Sequence, residues 1–381
     1  MKKNNLTIAI AIAVPIIVIA CVLIINNMND QGGDNPGPST IEIVDGSGAK
    51  ITLDAPIDSC ILVNTQVAQA ICVLGEQDRV EDILFYKAKK VDAYREMGFD
   101  IPDDSPVFSN LDNAEWIRET GVKYIIEPAG SSSKLKDTVE SECKSYGITI
   151  IKLDCYGETM LEDMQKVIKI FGSTAKSQQR FEDYLSTYND VVNAVKSKAT
   201  AKDLTFLVYM NGLKALYNEK SEMSILFSSV VGKNGLEGLG LPTTGVTNKI
   251  DKDNILEKLT ELDAEVGIDL LVIRGTADPT ETEIKGYWNG TDINKFQFEY
   301  MGDEEGSNVY FFDSDIMSGP MDYMCYAAIG DVLGLDYGYS LSGLVSDYNQ
   351  KYHTDKKTDG LVYQYVFDSE GMCESLIDMT S

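Results

Sequence analysis

The chain has 381 residues, enough at roughly 150 per domain for two globular units, or one large unit with an appendage. Hydrophobic residues make up 44% and charged residues 24%, a balance that excludes wholesale disorder and a polytopic membrane protein. The 33 Lys+Arg against 60 Asp+Glu leave a net charge of −27, which argues against binding to nucleic acid, and the single histidine, His353, excludes any site built from two imidazoles.

Lys2 and Lys3 precede an apolar run over 6–25 that is broken only by Thr7 and Pro15. At 1.5 Å per residue such a helix reaches about 30 Å, the thickness of a bilayer's hydrocarbon core. The run is expected to be an uncleaved single-pass anchor in the cell membrane, with 1–5 as a cytoplasmic stub and the bulk of the chain extracytoplasmic. Two alternatives stay open: Val18-Ile19-Ala20-Cys21 fits a lipoprotein signal with Cys21 lipidated, and a cleaved signal peptide is the third. Residues 26–39, rich in Asn, Asp, Gly and Pro, read as a flexible linker. Without Lys2 and Lys3 the exported part keeps 31 basic against 60 acidic side chains, hence −29. Its six cysteines, Cys60, Cys72, Cys143, Cys155, Cys325 and Cys373, either pair or stay as buried thiols, and no CxxC suggests zinc or redox chemistry.

The exported part opens with a hairpin, 41–44 and 50–53 joined through Asp45-Gly46-Ser47-Gly48. A buried strand at 60–63, a helix over 67–74 closed by Gly75, and a strand within 79–85 follow. Further helices at 114–120 and 135–146 alternate with strands at 124–127 and 148–153, the pattern of parallel strands joined by crossovers. Apolar spacing then predicts helices from 158 to about 199 with a break at Gly172-Ser173, the second near 25 residues long and able to bridge two lobes. Alternation resumes with strands at 204–210, 270–273 and 309–312 and helices at 224–231, 255–262, 323–333 and 341–352. The expected fold class is α/β: two lobes with mainly parallel central sheets joined by one long rigid interlobe helix, behind an N-terminal anchor. The boundaries are 40–157 for the first lobe, 158–200 for the linking helices and 201–381 for the second lobe.

Several segments, in order, resemble the substrate-binding proteins of ABC importers for cobalamin, haem and ferric siderophores, whose two α/β lobes share one long helix. They are Thr52-Leu53-Asp54-Ala55-Pro56 with Cys60-Ile61-Leu62-Val63, then Leu74-Gly75 with Asp78-Arg79-Val80, then Asn113-x-Glu115-x-Ile117 before Tyr124-Ile125-Ile126. Gly147-Ile148 and Gly267-Ile268-Asp269-Leu270-Leu271-Val272-Ile273 complete the set. Gly121-Val122-Lys123 and Thr149 depart from the family's proline-bearing turns. The resemblance covers roughly 41–352.

It implies a ligand held between the lobes by loops at the carboxyl ends of the strands, where open α/β sheets bind. Those loops would offer Tyr86, Lys87, Asn110, Tyr209, Asn211, Arg274 and Trp288, aromatic walls with a few charged groups. It also implies docking to the permease through one carboxylate per lobe, by position Glu115 and Asp253. The expected function is capture of a metal chelate, a ferric siderophore first and cobalamin or haem next, and its delivery to an ABC permease and its ATPase. No enzymatic step, cofactor, resident metal or nucleic-acid partner is expected. A bare-metal receptor would need more histidines. A tethered hydrolase lacks GxSxG, HExxH and P-loop motifs, with His353 placed on the surface, while an adhesion protein would suit the sequon Asn289-Gly290-Thr291.

Overall fold

The computed structural model describes residues 39–63, 65–83, 94–95, 97–101, 113–129, 134–199, 204–210, 215–237, 247–249, 257, 260–261, 263–264, 267–276, 278–290 and 307–380. The expected anchor and stub lie outside them, as does almost all of the 26–39 linker and most of the expected 255–262 helix. Among the described residues no helix is long and apolar enough to cross a membrane.

Strands β1 (Ser39–Val44) and β2 (Lys50–Ala55) pair antiparallel. Asp45 closes their turn: its Oδ1 accepts from Ser47 N at 2.9 Å and Ala49 N at 3.0 Å, an Asx turn. The first lobe continues β3 (Cys60–Leu62), α1 (Thr65–Leu74), β4 (Val80–Ile83), α2 (Ala114–Glu119), β5 (Tyr124–Glu127), α3 (Asp137–Ser145) and β6 (Thr149–Lys152). Its four-stranded sheet has the order β4-β3-β5-β6 and is parallel throughout. Cys60, Ile61 and Leu62 are all buried, the unbroken apolar run that a strand covered on both faces requires.

Two helices leave this lobe, α4 (Met160–Phe171) and α5 (Ala175–Lys198). Gly172 ends α4 at φ 96°, a left-handed cap, and Thr174 starts α5 by accepting from Ser177 N at 3.0 Å. The 24 residues of α5 span about 36 Å. Through Phe181, Tyr184, Val191, Val192 and Val195 the helix buries one face, touching α1 and α4 in the first lobe and the later helix α8 in the second.

The second lobe runs β7 (Leu204–Met210), β8 (Ala215–Tyr217), α6 (Glu222–Ser228), β9 (Gly232–Asn234), β10 (Thr247–Lys249), β11 (Leu270–Arg274), α7 (Glu281–Asn289) and β12 (Val309–Phe312). It closes with α8 (Asp322–Val332), α9 (Leu341–Tyr352), β13 (Val362–Phe367) and β14 (Cys373–Asp378). The sheet order is β10-β8-β7-β11-β12-β13-β14, with β9 on the β7 edge. β7, β11, β12 and β9 are parallel, while the hairpin strands at both ends are antiparallel. Side chains alternate across this sheet with the period of two that a pleat imposes. Phe206, Val208, Val272 and Phe312 face a core shared with α5, α8 and the first lobe, whereas Leu207, Tyr209, Leu271, Ile273 and Phe311 face α7 on the outer side.

The sequence expectation of a mainly parallel second sheet is thus corrected at its edges: β13 and β14 add an antiparallel hairpin around Asp368 and Gly371. The cysteines Cys60, Cys72, Cys143, Cys155, Cys325 and Cys373 are free and buried, which removes the pairing alternative.

Candidate ligand-binding cleft

Residues that follow strands in the two lobes meet at two contacts. Gln66, at the start of α1, donates from Nε2 to Ser318 Oγ at 3.3 Å, ahead of the short turn Gly319–Met321 that leads into α8. Gly319 adopts φ +75°, where a side chain would be strained, and a Cβ there would sit 2.7 Å from Gln69 Oε1 and displace that amide. A second contact joins the loop after β6 to the start of α6. Gly157 donates its N–H to the Glu222 carboxylate and packs against that side chain.

Around this second contact the cleft carries its ionisable groups. Arg274, the last residue of β11, has the parity of the inner face and gives a guanidinium N–H to Tyr217 Oη at 3.2 Å. Burial pushes Glu222 up to about 7, opposed by the Gly157 N–H and the Arg274 charge and aided by Asp154. Burial likewise raises Tyr156 to about 12, with Asp154 and Glu222 adding to it. Beneath them lies Asp322, the first residue of α8, buried at 4% exposure. Burial first and Glu222 second hold its carboxyl well above the usual range. Lys196 of α5 faces it, and Tyr184, Tyr188 and Tyr323 form an aromatic triad beside it with ring centroids 6.0–6.4 Å apart.

A third group follows β11 and β12. Asp313 accepts from Asp278 N and Asp315 N, each at 2.7 Å, while Asp315 pairs with Lys356 at 2.6 Å and Asp278 with Lys357. Burial and the neighbouring Asp315 push Asp313 up to about 7. Each of these carboxylates is closed by a lysine or by backbone N–H groups. Among the described residues no group of three or more His, Cys, Asp or Glu is arranged to hold a metal ion.

Of the residues expected from sequence, Arg274 lies beside the contact between Gly157 and Glu222. Tyr86, Lys87, Asn110, Asn211 and Asp253 lie outside the described residues. Tyr209 and Trp288 are corrected: both fall on the outer face of the second sheet, 1% and 0% exposed. Trp288 donates from Nε1 to Gly371 O at 2.9 Å and packs tilted against Phe367 with ring centroids 4.8 Å apart, so its ring is committed to the core. The signal missed was the capping box Thr280-x-x-Glu283, which starts α7 and puts Trp288 on its buried stripe instead of in a loop. Glu222 was missed for a similar reason. Ser221, three residues before the expected helix start, caps α6 by accepting from Ser224 N at 3.0 Å, and this sets Glu222 at the first helical position.

Glu115 is exposed on α2 and pairs with Arg118 at 3.2 Å. His353 is exposed at the left-handed cap of α9, φ 58°. Asn289 spends its amide on Cys373, accepting at 2.8 Å and donating at 3.2 Å, a commitment that opposes glycosylation. A groove of about 510 Å³ lies elsewhere, between the β1–β2 hairpin and the β6 edge, where Glu140 pairs with both Lys152 and Lys144.

No family model matches the chain, and no curated protein matches it either. Solved structures do. CeuE of Helicobacter pylori with Ni(II) bound superposes at a TM-score of 0.56 and 15% identity, over 83% of this chain and 97% of that one. The chain has the fold of the TroA-like periplasmic binding proteins. FepB of Veillonella parvula, described in those words, gives 0.55 at 15% identity over 82% and 95% of the two chains. A periplasmic haem-binding protein from Pseudomonas aeruginosa gives 0.53 at 11% over 81% and 98%. These neighbours are binding proteins, and identities this low establish the shared architecture.

Proposed function

We propose that the chain is an extracytoplasmic solute-binding receptor that captures a metal chelate between its lobes and delivers it to an ABC importer. What supports this reading is the contact between residues that follow strands of the first lobe, Gln66 and Gly157, and residues that follow strands of the second, Ser318 and Glu222, with Arg274, Tyr217 and Tyr156 beside the second contact. The crevice outside the strand ends is where open α/β sheets bind ligands. The names of the neighbours, which include a Ni(II)-bound protein, an Fe3+-hydroxamate transport system and a haem-binding protein, support a chelate as cargo. A ferric siderophore is the first choice, with haem or cobalamin next.

In this reading 40–157 and 201–381 are the lobes, 158–200 links them, and α5 limits closure to a small angle. The run 6–25 anchors the chain in the membrane, 26–39 is the tether, and Glu115 with Asp253 docks on basic residues of the permease. Both tryptophans pack into cores, Trp288 in the second lobe and Trp116 against the outer layer of the first, so heat or dialysis reports binding better than tryptophan emission. Calorimetric titration with ferric siderophores, haemin and cobalamin should give saturable binding to one of them, weakened at least tenfold by Arg274→Gln. Binding that is indifferent to Arg274→Gln would remove the cleft assignment. Reversing Glu115 and Asp253 to Lys should abolish transport and spare affinity, and an unchanged transport rate would refute the docking proposal.

A further inference from the structure

Glu222 belongs to the second lobe by sequence and is engaged by the first lobe in space. Gly157 N–H donates to it, and a Cβ at Gly157 (φ +60°) would lie 3.2 Å from its Cγ. Its Oε1 is buried and meets no hydrogen-bond partner among the described residues. Arg274 acts on it electrostatically, yet the buried Nε of that guanidinium has no partner either. Two opposite charges that attract while each leaves a hydrogen bond unmade form a half-satisfied pair, and buried polar groups in that state are costly.

The other groups around Glu222 offer it no second cation. Asp154 and Tyr156 face it from the loop after β6, Tyr188 from α5, and Asp322, Cys325 and Tyr326 from α8. Lys196, also on α5, acts on Asp322. Arg274 is therefore the one positive charge acting on Glu222 among the described residues. A ligand oxygen carrying negative charge that reaches the Arg274 guanidinium would draw it away from Glu222 through a charge-assisted hydrogen bond. Glu222 would then face that anion, Asp154 and Asp322 with its counter-ion engaged elsewhere.

We propose that Glu222 is a proton-linked specificity residue of the cleft: an anionic oxygen of the chelate takes Arg274, and Glu222 takes up one proton from solvent as it loses its counter-ion. This rests on the receptor reading and names its cargo class, a chelate with anionic oxygens exposed, such as a ferric tris-catecholate, in preference to an uncharged ferric trihydroxamate. Because burial already brings Glu222 to about 7, the proton is exchanged at neutral pH.

Two measurements on the full chain test it. In the ligand-free protein, infrared difference spectra between about pH 5 and about pH 9 should show a protonated-carboxyl band that titrates near neutrality and loses one group in Glu222→Gln. An identical band in the two proteins overturns the proposal. Calorimetry with ferric tris-catecholate should show affinity falling by about tenfold per pH unit above neutrality, with uptake of one proton, while Glu222→Gln gives a flat profile. Equal slopes in wild type and variant, or tight binding of wild type with no slope, overturn the proposal and leave the receptor reading standing. Absence of binding by tris-catecholate, trihydroxamate, haemin and cobalamin, with the infrared titration intact, overturns the receptor reading, and the proposal falls with it.

Discussion

Lys152→Met tests how the first lobe tolerates its buried charge. Lys152 Nζ lies 3.0 Å from Glu140 and 3.7 Å from Glu127. Glu140 keeps Lys144 at 2.5 Å after the substitution, so the loss falls on Glu127, which is fully buried and keeps, among the described residues, the Leu135 N–H at 2.8 Å and the more weakly acting charge of Lys134. Methionine preserves the apolar stem, which limits the change to charge. Breaking a buried pair costs about 3–5 kcal/mol when the remaining charge persists. Glu127 has an escape, since it can take a proton. From an ordinary carboxyl value of 4.5, protonation at pH 7 costs at most about 3.4 kcal/mol, and at pH 5 about 0.7 kcal/mol. Burial already raises Glu127, so both figures are ceilings. Urea unfolding should therefore show a loss of up to about 3 kcal/mol at pH 7 that shrinks below about 1 kcal/mol at pH 5. Adding Glu127→Gln should recover most of it. An equal loss at the two pH values would refute the reasoning, because a packing defect does not titrate.

Further predictions concern the second lobe and the cleft. Glu222 and Asp313 have folded values near 7, above those of free carboxyls, so their contribution is full below about pH 4 and is lost as pH rises through 7; thermal stability should fall between pH 5 and pH 8, and a rise would contradict the assignment. Phe227 is fully buried with ring centroids 5.6 Å from Phe206 and 5.8 Å from Phe312, so Phe227→Ala should cost about 3–5 kcal/mol in denaturant unfolding, and a loss under about 1 kcal/mol would show a looser core. Gly157→Ala strains a φ of +60° and crowds Glu222, which should cost about 1–2 kcal/mol and weaken chelate binding; an unperturbed affinity would detach this lobe contact from the cleft.

Much of the architecture was legible because burial on both faces leaves long apolar runs. The strands at 60–63, 124–127, 204–210 and 309–312 were readable for that reason, as was the Gly172-Ser173 break between α4 and α5. The hairpin Val362–Phe367 with Cys373–Asp378 was not, although Asp368 and Gly371 mark its turn, because a mixed run such as LVYQYVF has no helical or purely apolar period. The site was less legible than the fold. A strand end shows which residues leave a sheet, but parity decides which face each one serves, and parity sends Tyr209 to the core and Arg274 to the cleft. Asp322 carries no local motif, and the Ser221 cap that places Glu222 at a helix start says nothing of its burial. Their chemistry comes from burial where α6, α8 and the first lobe converge, a fact of tertiary packing.

The central claim is capture of a chelate in the cleft between the lobes. Equilibrium dialysis of the full chain against iron-labelled ferric tris-catecholate tests it most directly. The account predicts one chelate bound per chain, released unchanged on dilution, with Arg274→Gln abolishing retention; no retention of this chelate, of ferric trihydroxamate or of haemin, or recovery of a chemically altered ligand, would contradict it.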